Sequence, residues 1–171
     1  LDVAGSKITA TGLAELAKLP ALEHLNLDRT QASDEALRAL QKHEKLRDLS
    51  LRDTRATGAG LDQFAALRQI CLAGSQAHDA ALKGYPRLIW LTGLDLSRTR
   101  VTDVGLAELE GLRRMKSLFL DQTAITDRGL EVVETFRRLN SLSLRGTRVS
   151  DAGIARLANL RRLESLDLEG T

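Results

Sequence analysis

The sequence predicts an α/β solenoid, a right-handed coil with a parallel sheet on its concave side and short helices on its convex side. Three observations lead to this fold class. The chain repeats itself about every 24 residues, leucines alternate with polar residues over one short stretch of each repeat, and further leucines follow at three-residue intervals. Because one short strand and one short helix cannot bury their apolar sides alone, each repeat must stack on its neighbours.

The period is set by a Ser or Thr that recurs through the whole chain. Successive occurrences are 24 residues apart, except for one interval of 21. They are Ser6, Thr30, Thr54, Ser75, Thr99, Thr123, Thr147 and Thr171. The sequence therefore predicts a single array over residues 1–171, with about seven 24-residue repeats, one of them shortened to 21 at residues 55–75. The chain has no initiator Met and opens within a repeat, which indicates a segment of a larger protein with flanking domains or caps.

Each repeat divides into a strand half and a helix half. Eight apolar pairs, from Leu1/Val3 to Leu166/Leu168, alternate with a period of two and predict eight short strands. In the helix half a second hydroxyl residue is followed by Asp, an arrangement typical of helix starts. The predicted N-caps are Ser33, Thr102, Thr126 and Ser150, with Asp34, Asp103, Asp127 and Asp151 in the first turns.

Residues 55–92 are the least regular part of the array. Three residues are missing between Phe64 and Leu67, Gly58 takes the place of the usual Asp, and His78 stands at a cap position. We therefore expect an abbreviated helix or loop there, and a local bend, because a shorter convex side changes the curvature of a solenoid.

The repeat L-x-x-L-x-L-x-x-T, with the blocks VTDVGLAEL, ITDRGLEVV and VSDAGIARL, resembles the leucine-rich repeat family over the whole chain. Within that family it is similar to the cysteine-containing subtype of F-box substrate adaptors, with Thr in place of Cys, and to Thr-bearing bacterial versions. The resemblance implies a module that binds macromolecules. It also implies that the residues closing the strand turns hydrogen-bond backbone groups inside the solenoid, as a ladder of Thr30, Thr54, Ser75, Thr99, Thr123 and Thr147.

Composition narrows the function classes. The formal charge is +2 and aromatic residues make up 3% of the chain, which is too little of either to argue for nucleic acid. No apolar run is long enough for a membrane span, and the single Cys71 excludes an internal disulfide. The compartment stays open, with the cytoplasm slightly favoured because secretory features are missing.

No constellation of residues in the sequence predicts catalysis, a cofactor or a metal. The Thr-Asp-x-Gly block recurs in several repeats, as scaffold residues do and catalytic residues do not. His24, His43 and His78 fall at different phases of the repeat and cannot converge on a metal. Cys71 should lie two strands from His24, roughly 10 Å away, which is too far for activation. We therefore predict that the chain is not an enzyme and needs no cofactor.

The predicted binding surface is the concave face, formed by the residues that flank the buried leucines of each strand. It carries seven acids and two arginines, and turn positions beside it carry Lys7, Arg29, Arg55, Arg98, Arg100 and Arg148. These residues predict an acidic strip along the concave face with a basic rim beside it. Phe119 is the one aromatic expected on this face and the best single anchor for a partner. Phe119 could instead pack on the sheet beside Cys71 or Ser143. The predicted partner-binding residues are His24, Asn26, Asp28, Asp48, Arg52, Gln69, Asp95, Phe119, Asp121, Arg145 and Asp167.

On the convex side, arginine pairs recur at residues 113–114, 137–138 and 161–162, with Trp90 one repeat earlier. We interpret them as cations that complement helix C-termini, and the lack of interleaved aromatics argues against nucleic acid. The sequence thus predicts a non-catalytic module that recognises a protein partner. Two alternatives stay open: a substrate-receptor or effector domain of a ubiquitin-ligase-type assembly, and a structural spacer or assembly element.

Overall fold

The structure is a computed structural model that describes residues 1–16 and 18–171. One parallel sheet runs through it, and its seven strands are in chain order, each paired with the next. The strands are β1 His24–Asn26, β2 Asp48–Ser50, β3 Gln69–Cys71, β4 Gly93–Asp95, β5 Ser117–Phe119, β6 Ser141–Ser143 and β7 Ser165–Asp167. The predicted α/β solenoid is confirmed: the middle residue of each strand from β1 to β6, a leucine or Ile70, is buried, and helical segments alternate with the strands.

The prediction of eight strands was wrong at the first apolar pair. Asp2, between Leu1 and Val3, forms only an isolated bridge with Asn26, and no strand develops there. Leu1 is half exposed.

The helix halves are short and vary along the chain. The α-helices are α1 Ala10–Leu16, α2 Asp34–Arg38, α3 Asp103–Ala107, α4 Leu130–Val133 and α5 Asp151–Arg156. Single 3₁₀ turns cover Leu61–Gln63, Asp79–Leu82, Tyr85–Arg87 and Leu157–Asn159. The helical segments within residues 55–92 are all 3₁₀ turns, which agrees with the abbreviated helix expected from the three-residue deletion. β3, in the same range, nevertheless pairs in register with both β2 and β4.

A residue with left-handed backbone conformation lies three positions after the last residue of each strand. Positive φ angles recur at one phase of the repeat, at Gly5, Arg29, Asp53, Gly74, Arg98, Gln122, Gly146 and Gly170. Its N–H donates across to the next repeat, as from Arg29 to the Arg52 carbonyl at 2.7 Å and from Gln122 to the Arg145 carbonyl at 2.7 Å. The strained backbone therefore continues the inter-repeat ladder beyond each strand.

The recurring Thr fixes this turn from within its own repeat. The hydroxyl of each Thr donates to the carbonyl three residues earlier, at 2.5 to 2.7 Å, in Thr30, Thr54, Thr99, Thr123 and Thr147. Ser75 is also buried, but its hydroxyl accepts from the Ala77 N–H. The hydrogen bonds close individual turns, so they form a stack of equivalent contacts and not a chain that runs from repeat to repeat.

The Thr-Asp-x-Gly block joins one repeat to the next. Asp103 accepts the N–H of Thr126 at 2.9 Å and its hydroxyl at 2.6 Å. The same pair of bonds links Asp34 to Thr57, Asp79 to Thr102 and Asp127 to Ser150. The carboxylates therefore do more than oppose their own helix dipoles, because they satisfy polar groups of the following repeat.

The predicted caps are only partly correct. Ser33 and Thr102 accept a helix N–H and act as N-caps of α2 and α3. Ser150 makes no capping hydrogen bond, and α4 begins at Leu130 with Gly129 before it, so Thr126 is not its N-cap. Ser150 nevertheless stands at the N-cap position of α5. Its hydroxyl donates to the Asp of the preceding repeat, as those of Thr102 and Thr126 also do, so this contact does not decide which hydroxyl caps a helix.

The same contact explains why the last position of the Thr-Asp-x-Gly block is glycine. A Cβ on Gly129 would lie 2.6 Å from Asp103 Oδ1, and one on Gly153 would lie 2.2 Å from Asp127 Oδ1. Where the preceding repeat has no Asp, this position holds alanine instead: Ala36 follows Ala10, and Ala81 follows Gly58. The small residue is thus matched to the carboxylate that it must accommodate.

Tyr85 occupies the interior of the irregular segment. It is completely buried, and its hydroxyl donates to the Gly58 carbonyl at 3.2 Å. Burial raises the pKa of Tyr85, and the nearby Asp34 and Asp62 raise it further, so the phenol stays neutral. A large aromatic side chain therefore contributes to the core where the helix halves are shortest.

We expect Gly129→Ala to destabilise the protein by about 1–2 kcal/mol, because the new methyl group meets the Asp103 carboxylate. Asp103→Ala alone should also destabilise, since it removes the two bonds to Thr126. Chemical denaturation of both single variants and the double variant measures their coupling. A double variant less destabilised than the sum of the singles supports the contact, and strict additivity contradicts it.

The hydrogen bonds from the Ser150 hydroxyl and N–H lower the pKa of Asp127. A lowered pKa in the folded state stabilises the protein above the unfolded carboxyl pKa, and this contribution is lost as pH falls through the folded value. We expect Ser150→Ala to raise the pKa of Asp127 towards its ordinary value, as measured by NMR titration of the carboxyl carbon. An unchanged pKa would show that the hydroxyl is unimportant.

Candidate protein-binding surface

The concave face consists of rows of side chains set by the strand register. One row runs through His24, Asp48, Gln69, Gly93, Ser117, Ser141 and Ser165, and the next runs through Asn26, Ser50, Cys71, Asp95, Phe119, Ser143 and Asp167. Because neighbouring strands lie about 4.8 Å apart, residues in a row contact one another laterally. The predicted partner-binding residues therefore all lie on one face or at its edge.

Several concave carboxylates are engaged in holding the strand ends. Asp28 accepts the Ser50 hydroxyl at 2.5 Å and the Arg52 N–H at 2.9 Å. Asp121 accepts the equivalent groups of Ser143 and Arg145. Other side chains accept the N–H two residues later in their own strand end: Asp2, Asn26, Asp95 and Asp167. The acidic strip thus has a structural role that its charge alone does not reveal.

Arg52, Cys71 and Asp95 form a cluster across three strands. The Arg52 guanidinium lies 3.3 Å from Asp95 Oδ2 and 3.6 Å from Cys71 Sγ, and the thiol in turn lies 3.6 Å from Asp95 Oδ2. Burial, the largest effect, raises the pKa of the Cys71 thiol, and Asp95 raises it further, while the Ala73 N–H and Arg52 lower it. The thiol is therefore not an activated nucleophile.

Phe119 lies in an open hollow of about 400 Å³ near the middle of the face. Its neighbours in the row are Asp95 and Ser143, and Cys71 is two strands away. The hollow is also lined by Arg52, Ser97, Arg98, Asp121, Gln122 and Arg145. Phe119 is half-buried, so the ring both packs on the sheet and presents part of its surface to the hollow.

Polar contacts link neighbouring strands at the two ends of the face, a hydrogen bond at one end and ion pairs at the other. His24 Nδ1 lies 2.5 Å from Asp48 Oδ2 on neighbouring strands. At the other end Arg145 pairs with Glu169 at 2.7 Å and with Asp167 at 3.6 Å. Gln69 extends over Gly93 and donates to the Thr92 hydroxyl at 3.0 Å. Glycine is needed at residue 93 because a Cβ there would collide with the Gln69 side chain. These residues cross-link neighbouring repeats on the concave surface.

The basic rim lies where the strands end. Lys7, Arg29, Arg55, Arg100 and Arg148 are exposed there and form no ion pair in the described part of the chain. Arg98 is the exception, because it pairs with Asp53 at 3.2 Å.

Residues 1–16 and 18–171 contain neither a group of metal ligands nor a helix suited to crossing a membrane. No three His, Cys, Asp or Glu side chains are grouped closely enough to hold a metal ion. None of the described helices combines the length and apolarity that a membrane crossing requires.

Comparison with known proteins agrees with this geometry. A family model described as Leucine Rich repeat matches residues 87–109. Internalin C2 of Listeria monocytogenes is 22% identical with a TM-score of 0.77, and the match covers 98% of this chain and 79% of that one. A leucine-rich repeat protein of Leptospira interrogans is 22% identical with a TM-score of 0.74, over 94% of this chain and 40% of that one.

The chain has the leucine-rich repeat fold. A third solved structure with this solenoid is the plant peptide hormone receptor RGFR1 in complex with RGF2, at 16% identity and a TM-score of 0.66. That match covers 91% of this chain and 26% of the receptor. No curated protein sequence matches the chain significantly.

Sequence reasoning missed one group of side chains on this leucine-rich repeat solenoid. Arg68 and Lys116 lie beside Trp90, Arg114 and Arg138 around a hollow of about 240 Å³. The available signal was the alignment of Arg68, Thr92 and Lys116 at the same phase, directly before the strands. These residues are 24 apart and the three-residue deletion lies before Arg68, so their alignment is visible from the period alone.

We expect the Cys71 thiol to react with a disulfide reagent at about pH 8 roughly tenfold more slowly in the folded protein than in urea, because burial raises its pKa. Asp95→Asn removes a charge that raises this pKa and should accelerate the reaction, whereas Arg52→Gln should slow it. Equal rates in the folded and unfolded chains would contradict the assignment.

Proposed function

We propose that the chain is a non-catalytic protein-recognition module whose partner binds the concave face, centred on the hollow around Phe119. The solenoid gives this face a fixed curvature and lines it with side chains that differ from repeat to repeat. The plant receptor with the same fold was solved in complex with RGF2, which supports a binding role for a solenoid of this kind.

The observation that carries this proposal is the place of Phe119 in its row. The equivalent positions hold Asn26, Ser50, Cys71, Asp95, Ser143 and Asp167, and the fold is maintained at each of them without an aromatic. The scaffold therefore does not require a phenyl ring here. A half-exposed aromatic surrounded by charged side chains is typical of an interface anchor with a polar rim.

The charged neighbours of Phe119 suggest how a partner is oriented. Arg52 and Arg145 reach across the face from either side of the ring, and their carboxylate partners hold them in place. Side chains fixed in this way lose little conformational freedom on binding, so the surface is pre-organised. The remaining proposed contact residues are His24, Asn26, Asp28, Asp48, Gln69, Asp95, Asp121 and Asp167.

We predict that Phe119→Ala weakens partner binding by about 2 kcal/mol or more, because truncating a central aromatic anchor removes most of its contact area. The measurement is quantitative affinity capture from a lysate of the source organism, followed by titration of the captured protein. Asp95→Arg is a poor probe of the same face, since Asp95 also accepts the Ser97 N–H and pairs with Arg52.

The matched control is Val104→Ala, which truncates an apolar side chain that is 64% exposed in α3, outside the strands. Circular dichroism melts of both variants should show that the fold is kept. A partner retained equally by both variants would place the binding surface elsewhere. The absence of any partner that wild type captures in preference to a non-binding control would favour the structural-spacer alternative.

A further inference from the structure

A second charged surface lies at the other end of the strands, where the chain enters the sheet. We name it the basic edge, and it consists of Arg68, Trp90, Arg114, Lys116 and Arg138, which line one hollow. Its position is fixed by the backbone, because the Thr92 N–H donates to the Arg68 carbonyl and the Lys116 N–H donates to the Thr92 carbonyl. Arg68 and Lys116 are therefore in register on alternate repeats, with Thr92 between them.

The basic edge exposes apolar as well as charged groups. Trp90 is 43% exposed, and its neighbour Ile89 is 63% exposed. The Arg114 guanidinium lies over the indole ring, 4.2 Å from its centroid. This cation–π contact holds the ring flat beside the hollow and leaves the donors at the edge of the guanidinium available.

No cation of the basic edge is held in an ion pair within the described residues, and Glu110 lines an adjoining hollow together with Arg138. Arg47, which precedes Arg68 in the same stack, pairs with Glu23 at 3.0 Å. The positive charge is thus neutralised at the N-terminal end of the stack and left uncompensated in its middle.

Helix dipoles do not account for these cations, and the earlier interpretation is wrong in this respect. α3 ends at Ala107 and α4 ends at Val133, several residues before Arg114 and Arg138. Stabilisation by the dipole is confined to the last turn of a helix. A second hollow of about 560 Å³ extends the basic edge towards Arg113 and Arg137, and Arg138 lines both hollows.

We propose that the basic edge binds an acidic segment of a protein partner that also carries apolar side chains. Carboxylates of the segment would pair with Arg68, Lys116 and Arg138, and its apolar side chains would cover Ile89 and Trp90. Guanidinium groups recognise carboxylates through paired hydrogen bonds, and exposed aromatic surface adds affinity by burial. This surface is separate from the concave face, so the proposal does not depend on the function proposed there.

An acidic peptide fits the basic edge better than two other anionic partners. Single-stranded nucleic acid is bound by several aromatics on which successive bases stack, and Trp90 is the one tryptophan of the chain and stands alone here. A membrane surface is flat, whereas the cations of the basic edge line two hollows. Exposed cations around a hollow can be contacted by the side chains of an extended peptide.

The test uses the intrinsic fluorescence of Trp90, which reports only on this surface because no other tryptophan is present. The chain is titrated with a short synthetic peptide that alternates glutamate and leucine. A matched peptide with glutamine in place of glutamate is the control. We expect a saturable change in emission with the acidic peptide, weakened by salt, and none with the control.

Charge reversal locates the interaction. Lys116→Glu combined with Arg138→Glu should lower the affinity for the acidic peptide by about tenfold or more. The matched control combines Arg55→Glu with Arg148→Glu, which makes the same change in net charge on the rim and should leave binding unchanged. Circular dichroism verifies that both double variants fold.

Three outcomes would overturn the proposal. The first is no response to the acidic peptide, and the second is equal weakening by both double variants. The third is tighter binding of oligothymidylate or of phosphatidylserine-containing vesicles than of the peptide, which would assign the basic edge to nucleic acid or to an anionic membrane.

Discussion

The structure depends on one constraint: no repeat can satisfy its own backbone or bury its own leucines. Each three-residue strand has hydrogen-bonding partners only in its neighbours, and each turn residue with positive φ donates its N–H to the following repeat. The Thr hydroxyl that closes the turn lets this strained backbone stay buried without an unpaired carbonyl. Stability is therefore held in contacts between repeats, as expected for a solenoid whose units cannot fold alone.

The same constraint explains why polar residues that resemble a site are scaffold. Asp103 serves the hydroxyl and N–H of the next repeat, and Asp28 and Asp121 do so at the strand ends. Side chains that do not hold neighbouring repeats together are more informative about function. On the concave face that is Phe119, and on the opposite edge it is the group of cations around Trp90.

Periodicity was sufficient to predict the fold class, the strand positions and the buried leucines, because each depends on spacing alone. It failed where a contact joins residues 23 or 24 apart in the chain. Ser150 stands at the predicted N-cap position of α5, but its hydroxyl donates to Asp127 and accepts no helix N–H. The alternation of Gly129 with Ala36 at one phase is explained only by the side chain that the preceding repeat places beside that position. The basic edge was missed because Arg68 and Lys116, each one residue before a strand, belong neither to the concave rows nor to the recurring arginine pairs on which the sequence analysis was based.

The shortened repeat has a consequence for how such surfaces change. Three residues are absent after Phe64, yet Ile70 pairs with Leu49 on one side and with Leu94 on the other as in every other repeat. Length variation is absorbed entirely by the outer layer, where Tyr85 fills the interior. The strand spacing and register of the inner face are consequently independent of the length of the outer layer. Residues on the inner face can therefore be exchanged one at a time, and insertions or deletions on the outside leave their relative positions unchanged.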